Sequence, residues 1–153
     1  MGHTVRLFTN IPAPQMVRGV MCHGLAFPTN LSRDLDVAIV SNHADSPLPG
    51  QNRSAFAPET PVVLWQQHAA DQPYTAALAI PEIRDRWDGF ALLSHWQAQQ
   101  FETAFAIPRS KIAILRNAIS PHFQHLFQTP PVRTQKPWPP ILAYTSTPFR
   151  GLE

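Results

Sequence analysis

The chain has little of several residue types, and each scarcity excludes a class of protein. Cys22 is the one cysteine among 153 residues, which excludes an internal disulfide framework and fits a reducing compartment such as the cytoplasm. Charged residues make up 14% of the chain, and the net charge of +2 comes with no basic run, so nucleic acid is not an indicated partner. Neither a signal peptide nor an eighteen-residue apolar run is evident, so we expect no membrane span.

Proline is the residue type in excess. Seventeen prolines against six glycines cluster in Ile11–Pro14, Ser46–Pro61 and Thr129–Pro140, and such clusters are typical of rigid connections between packed elements. The hydrophobic content of 44% is that of a globular protein with a sizeable core. The composition therefore favours packed elements joined by stiff linkers over a disordered chain.

Short apolar runs bounded by turn residues predict strands. Val17–Leu25 is a weaker candidate because Gly19 and Gly24 interrupt it. The stronger runs are Thr4–Thr9, Asp36–Asn42, Pro61–His68, Trp87–Ser94, Lys111–Asn117 and Ile141–Tyr144.

Helices are predicted between these strands. One begins near Asp71, which we expect to cap it, with Tyr74, Leu78 and Ile80 as a partial apolar stripe. The next covers Trp96–Phe105 behind a Ser94 N-cap. Strands that alternate with helices at this spacing predict a mostly parallel α/β sheet with ligands at the carboxyl ends of its strands.

The C-terminal segment resembles a phosphate-binding loop. The strand at Ile141 leads into the turn Ser146–Pro148 and then into Arg150–Glu153, which has the pattern of the first turn of a helix. Helix starts favour anions, and the Arg150 guanidinium adds a fork that suits phosphate oxygens. The alternative for Arg150 is a solvated side chain, and Ser146 is equally well explained as a cap of the turn.

The order of these segments resembles the retaining glycosyltransferases of GT-B architecture, specifically the large family 4. The resemblance covers most of the chain and rests on five blocks rather than on one motif. They are Gly2–Phe8, Leu64–His68 with Asp71, Asp88–Gln97, Ile114–Ile119 and Tyr144–Glu153.

This resemblance implies two Rossmann-like domains that face a cleft, one receiving the acceptor and one holding the nucleotide sugar. Residues 1–117 would form an incomplete Rossmann-like acceptor-side domain, 118–140 a proline-rich interdomain connection, and 141–153 the first strand of the donor domain. Two family features are missing, namely a first strand with its glycine-rich loop and helix, and a glutamate pair spaced E-x7-E. We therefore expect a chain that is truncated at both ends and inactive by itself.

The resemblance also implies site residues. His68 matches the cleft histidine that approaches the transferred sugar, whereas Arg150 and Ser146 match positions against the donor diphosphate. For His68 the alternative is a structural histidine bonded to a neighbouring loop. The family generally carries no catalytic metal, and the spacing of His122 and His125 is weak evidence for zinc; we expect no metal and no cofactor.

Two functions remain open at this point. The first is a fragment of a hexosyltransferase that moves sugar from a nucleotide-sugar donor to a glycan, lipid or small acceptor, with peripheral membrane contact left open. The second is a non-catalytic remnant or acceptor-binding module. The aromatic residues are expected in the core rather than in a sugar platform, and Cys22 as a small buried hydrophobe. These aromatic residues are Trp65, Trp87, Phe90, Trp96, Phe101 and Phe105.

Overall fold

The computed structural model describes residues 2–24, 35–46 and 53–118. The strands of this part are β1 (Arg6–Phe8), β2 (Gln15–Val17), β3 (Val20–His23), β4 (Ala38–Ser41), β5 (Val62–Gln66), β6 (Gly89–Leu92) and β7 (Ile112–Ile114). Its α-helices are α1 (Pro81–Arg84) and α2 (His95–Phe105), and its 3-10 turns are Arg53–Ala55, Pro73–Ala79 and Arg109–Lys111.

The chain separates into two units after Asn117. All of the strands and helices given above belong to the first unit. The predicted strand at Ile141, with Ser146 and Arg150 behind it, lies outside the described residues, as does the predicted connection beyond Ala118. Those sequence predictions stay as they were.

The first sheet is small and mixed. Its strand order is β1-β3-β2, with β1 parallel and β2 antiparallel to β3. Arg18 and Gly19 both have positive φ, 48° and 82°, as a two-residue type I′ hairpin requires. The prediction of a single strand over Val17–Leu25 is therefore wrong. Gly19 does not merely weaken a strand there, because the chain reverses direction at this glycine. Cys22 on β3 is buried, as predicted.

The second sheet has four parallel strands in the order β4-β5-β6-β7. All four strands were predicted, each three or four residues longer than the structure shows. The protein is thus an α/β protein, as predicted, but its strands form two sheets instead of the one mostly parallel sheet expected. The all-parallel arrangement belongs to the second sheet, whereas the first sheet has one parallel and one antiparallel pair.

One face of the second sheet carries the core. Sequential parallel strands with right-handed crossovers place their connections on the same face, and α2 packs there against β6 and β7. The opposite face is more open, and Ile39 on it is 56% exposed. The buried set is Ala44, Phe56, Val62, Leu64, Leu78, Trp87, Phe90, Leu92, Ala98, Phe101, Phe105 and Ile107.

The aromatic residues divide between core and surface. Trp87, Phe90, Phe101 and Phe105 are buried as predicted, and the last two rings meet edge to face at 5.2 Å. The prediction is wrong for Trp96, which is 62% exposed at the start of α2. Trp65 is half-buried on the more open face of the sheet.

The buried Trp87 stabilises the core through its indole nitrogen as well as through its ring. Its indole nitrogen donates to the Ala44 carbonyl oxygen at 3.3 Å and so holds the loop after β4 against the core. We predict that Trp87→Phe lowers the free energy of unfolding by about 1–3 kcal/mol, since it leaves that buried carbonyl unpaired and removes ring volume. Chemical denaturation measures this.

Trp96→Phe is the matched control for Trp87→Phe. The exposed Trp96 ring lies at the surface of α2, so this change should stay within about 0.5 kcal/mol of wild type. Equal losses for the two variants would contradict the proposed role of the Trp87 indole.

Candidate functional site

The strands of the second sheet all point the same way, so their carboxyl ends share one edge. At this edge the structure brings together five polar or aromatic side chains that we call the strand-end cluster. Parallel α/β sheets place their ligands at this edge. The members of the cluster are Asn42 after β4, Gln66 and His68 at the end of β5, Tyr74 beyond it, and Gln97 in the first turn of α2.

Gln97 joins the ends of β5 and β6. The Ser94 side chain caps α2 by accepting from the Gln97 backbone N–H at 3.1 Å. The Gln97 Oε1 accepts from the Leu93 N–H at 2.7 Å, and its Nε2 donates to the carbonyls of Gln66 at 3.1 Å and His68 at 2.8 Å. In a capping box the side chain at this position turns back to the N-cap N–H. Here it bridges two strand ends instead.

Gln66 organises the first residues after β5. Its Oε1 accepts from the backbone N–H groups of Gln67 and His68, at 3.0 and 3.1 Å, and lies 2.9 Å from the His68 Nδ1. The Gln66 side chain is fully buried, and its Nε2 has no hydrogen-bond partner among the described residues. One amide oxygen therefore fixes both the backbone and the ring of His68.

Asn42 ties the end of β4 to the end of β5. Its backbone has a φ of 60°, in the left-handed region that asparagine tolerates better than most residues. Its N–H donates to the Trp65 carbonyl at 2.9 Å, and its Oδ1 accepts from the Gln67 N–H at 2.8 Å. The left-handed turn allows one asparagine to make both contacts.

Tyr74 presents an aromatic surface beside His68. The two rings are stacked with centroids 4.6 Å apart and planes at 24°, yet Tyr74 remains 64% exposed. The prediction that Tyr74 and Ile80 form a buried stripe with Leu78 is wrong, because in the 3-10 turn only Leu78 of the three is buried. The N-cap is Gln72 without a side-chain hydrogen bond, so the predicted cap at Asp71 is also wrong.

A cleft of about 240 Å³ borders the strand-end cluster. Its walls come from the loops after β4 and β5, and Tyr74 is shared by the cleft and the stack on His68. The lining residues are Asn42, His43, Asp45, Pro73, Tyr74 and Ala77.

A larger hollow, of about 530 Å³, lies along residues 54–59 in the segment that leads into β5. The Arg53 guanidinium closes this segment on itself by donating to the carbonyls of Ala57, Pro58 and Thr60. The hollow therefore lies at the amino end of β5, away from the edge where parallel sheets bind ligands. The smaller cleft is the better candidate despite its volume.

The strongest charge interaction also lies away from the cluster. Arg84 donates from Nε to the Asp85 carboxylate at 2.7 Å and from Nη1 to the Phe105 carbonyl at 2.8 Å. The hydrogen bond from Arg84 lowers the pKa of Asp85, and the same bond raises the pKa of Arg84. Because this pair precedes β6 and stabilises the end of α2, we assign it to structure.

Of the site residues predicted from the sequence, the structure describes one. His68 lies at the carboxyl end of β5, as its sequence position indicates, whereas Arg150 and Ser146 lie outside the described residues. Within the described ranges no group of three histidine, cysteine or acidic side chains could hold a metal ion. In that same part of the chain no helix is both long and apolar enough to cross a membrane.

Sequence reasoning missed Gln66, Gln97 and Asn42. The pattern Ser94-His95-Trp96-Gln97 is a capping-box signature and could have pointed to Gln97. No comparable signal marks Gln66, because a glutamine at the end of an apolar run is usually a solvated residue.

Three comparisons with known proteins found no similar protein. No family model, curated protein or solved structure matches this chain. The resemblance to family 4 glycosyltransferases therefore remains a prediction from the sequence blocks.

Gln97 is the residue whose loss should disturb the strand-end cluster most. We predict that Gln97→Ala lowers the free energy of unfolding by about 2–4 kcal/mol, because the half-buried Leu93 N–H and the carbonyls of Gln66 and His68 lose their partner. Thermal or chemical denaturation measures it. Gln100→Ala, an exposed change on the same helix, should cost less than about 0.5 kcal/mol; similar losses would contradict the bridging role.

Proposed function

We propose that this chain forms the acceptor-side part of a cytoplasmic retaining glycosyltransferase of GT-B type, and that the strand-end cluster contacts sugar. The observation that carries the proposal is the stacked pair of His68 and Tyr74 at the carboxyl end of β5. Its position is that of ligand sites in parallel α/β sheets. The sequence blocks described above supply the reaction class.

The chemistry of the cluster suits a neutral polyol. An exposed tyrosine offers an apolar ring with a polar tip, which matches a sugar that has C–H faces and hydroxyl edges. Asn42, His43 and Asp45 place amide, imidazole and carboxylate groups along the same cleft. Small-molecule sites are usually lined by aromatic and apolar surface together with a small number of polar groups.

The size of the cleft indicates which part of the substrates it holds. Its volume of about 240 Å³ is below the roughly 300–1,000 Å³ of pockets for drug-sized ligands. A single sugar ring is therefore a better fit than a whole nucleotide sugar. We assign the cleft to one acceptor or transferred sugar unit and the nucleotide to residues beyond the described part.

Tyr74→Ala tests the assignment. In titrations of the purified full chain with a panel of monosaccharides, we expect it to weaken binding of the best ligand about 2- to 10-fold, since ring contacts of this kind contribute about 0.5–1.5 kcal/mol. Trp96→Ala, which removes an exposed aromatic on α2 outside the cleft lining, is the control and should bind as wild type. Equal affinities for both variants, or no saccharide bound at all, would refute the sugar cleft.

Arg150 tests the donor side of the proposal. If it contacts the diphosphate, Arg150→Ala should weaken binding of a nucleoside diphosphate about 10- to 100-fold, because hydrogen bonds to charged groups contribute about 1.5–3 kcal/mol. Ser146→Ala should cost less, as a neutral hydrogen bond does. Arg150→Lys should retain part of the affinity, and Arg133→Ala serves as the control. An unchanged Arg150→Ala protein would leave Arg150 as a solvated side chain.

The second candidate is an acceptor-binding module without transferase activity. It is favoured by one observation, which is that no glutamate in the sequence has another eight positions on, whereas the family holds its donor with such a pair. Because the chain by itself is expected to be inactive under both candidates, the DNA that flanks its reading frame separates them. A neighbouring donor domain with the spaced glutamates supports the transferase, whereas saccharide binding without such a domain identifies the module.

A further inference from the structure

The Gln66 amide can adopt only one direction. Its Oε1 faces two backbone N–H groups, those of Gln67 and His68. If the amide were reversed, its NH2 group would point at two donors, and neither contact would be a hydrogen bond. The direction shown keeps these contacts even though it leaves the Gln66 Nε2 buried and without a partner among the described residues.

The amide direction determines which nitrogen of the His68 ring carries the proton. The Nδ1 lies 2.9 Å from the Gln66 Oε1, an atom that only accepts hydrogen bonds, so Nδ1 must be the protonated nitrogen. A neutral imidazole has one N–H, and the other nitrogen, Nε2, therefore presents a lone pair. The hydrogen bond at one nitrogen thus sets the role of the other.

The ring is also fixed in place. Tyr74 stacks on it, and Gln97 holds the His68 carbonyl at 2.8 Å. The Nε2 makes no hydrogen bond within the described residues and is not among their buried unpaired atoms, so it keeps some accessible surface although His68 is half-buried. A ligand atom that meets this nitrogen meets a preorganised acceptor.

We infer that Gln66 is a positioning residue that makes His68 a hydrogen-bond acceptor for a ligand hydroxyl. This inference rests on the proposed function, and it adds which partner donates the hydrogen bond between His68 and the ligand. In the neutral ring, the group that faces Nε2 is a donor, as a sugar hydroxyl is, because an oxygen of a phosphate or carboxylate does not satisfy a lone pair.

The tautomer is measurable without any ligand. Ring ¹⁵N spectra of the full chain with labelled histidine, assigned by difference from His68→Gln, should show a protonated Nδ1 and an unprotonated Nε2 in the neutral ring. Gln66→Met, which keeps the length but removes the acceptor, should shift the population toward the Nε2–H form. Gln66→Glu retains an acceptor and should leave the tautomer unchanged, as should the exposed control Gln67→Met.

An unprotonated Nδ1 in the wild-type spectrum would overturn the inference, and this measurement does not require that the Gln66 variants fold. An unchanged tautomer in a folded Gln66→Met protein would also remove Gln66 from the positioning role. Neither result depends on saccharide binding, so a failure of the proposed function is recognised separately, by the absence of binding in the Tyr74 experiment.

The hydrogen-bond polarity is tested with sugar analogues of the best monosaccharide ligand. At the position facing His68, replacement of the hydroxyl by hydrogen or by fluorine should each weaken binding about tenfold, because fluorine cannot donate. In His68→Ala the hydroxyl should lose this advantage over both analogues. A fluoro analogue that binds wild type as well as the parent sugar would show that His68 donates, and would overturn the assigned polarity.

Discussion

The parallel, sequential order of β4 to β7 is the constraint on which the core and the candidate site depend. Four parallel strands follow one another in sequence order, so right-handed connections bring the following segments to the same face. That face buries Leu64, Phe90 and Phe101, and burial of large apolar side chains is the dominant stabilising term. The same geometry gathers the strand carboxyl ends at one edge, and the candidate site is a consequence of the packing.

The site is assembled mainly by neutral amides. Gln97 and Asn42 each join a strand end to another segment through side-chain oxygen or nitrogen atoms, and Gln66 holds the two residues that follow it. The ion pair of Arg84 and Asp85 precedes β6, at the other end of the sheet. Amide contacts are directional and insensitive to salt, whereas exposed charge pairs are screened. A cluster held in this way keeps its shape around a ligand that brings no charge, which agrees with a sugar ring in the cleft.

The sequence predicted the parts of the fold that depend on local pattern. The apolar runs that form β4 to β7 and the Ser94 cap of α2 were recognisable because apolar strands and N-capping leave short, explicit signatures. Tyr74 and Trp96 were misplaced because periodicity cannot show that a segment becomes a 3-10 turn or that an aromatic lies at a helix start facing solvent. Gln66 was missed for a different reason. Its role arises because its side-chain oxygen turns back onto the backbone N–H groups of the next two residues. No rule of residue spacing predicts such a contact.

The strand-end cluster contains features that cost stability, and their coincidence supports a functional reading. A buried Gln66 NH2 without a partner costs about 1–3 kcal/mol, and Asn42 holds a left-handed backbone that an L-residue rarely adopts. The Trp65 Nε1 on the same strand is also buried without a partner among the described residues, and Ala106 after α2 has a φ of 53°. Departures from local rules that gather at one place are expected at functional sites. The departures at Gln66 and Asn42 serve the same end, because each orients an oxygen that holds the segment Gln67-His68, and a histidine fixed in this way is suited to binding.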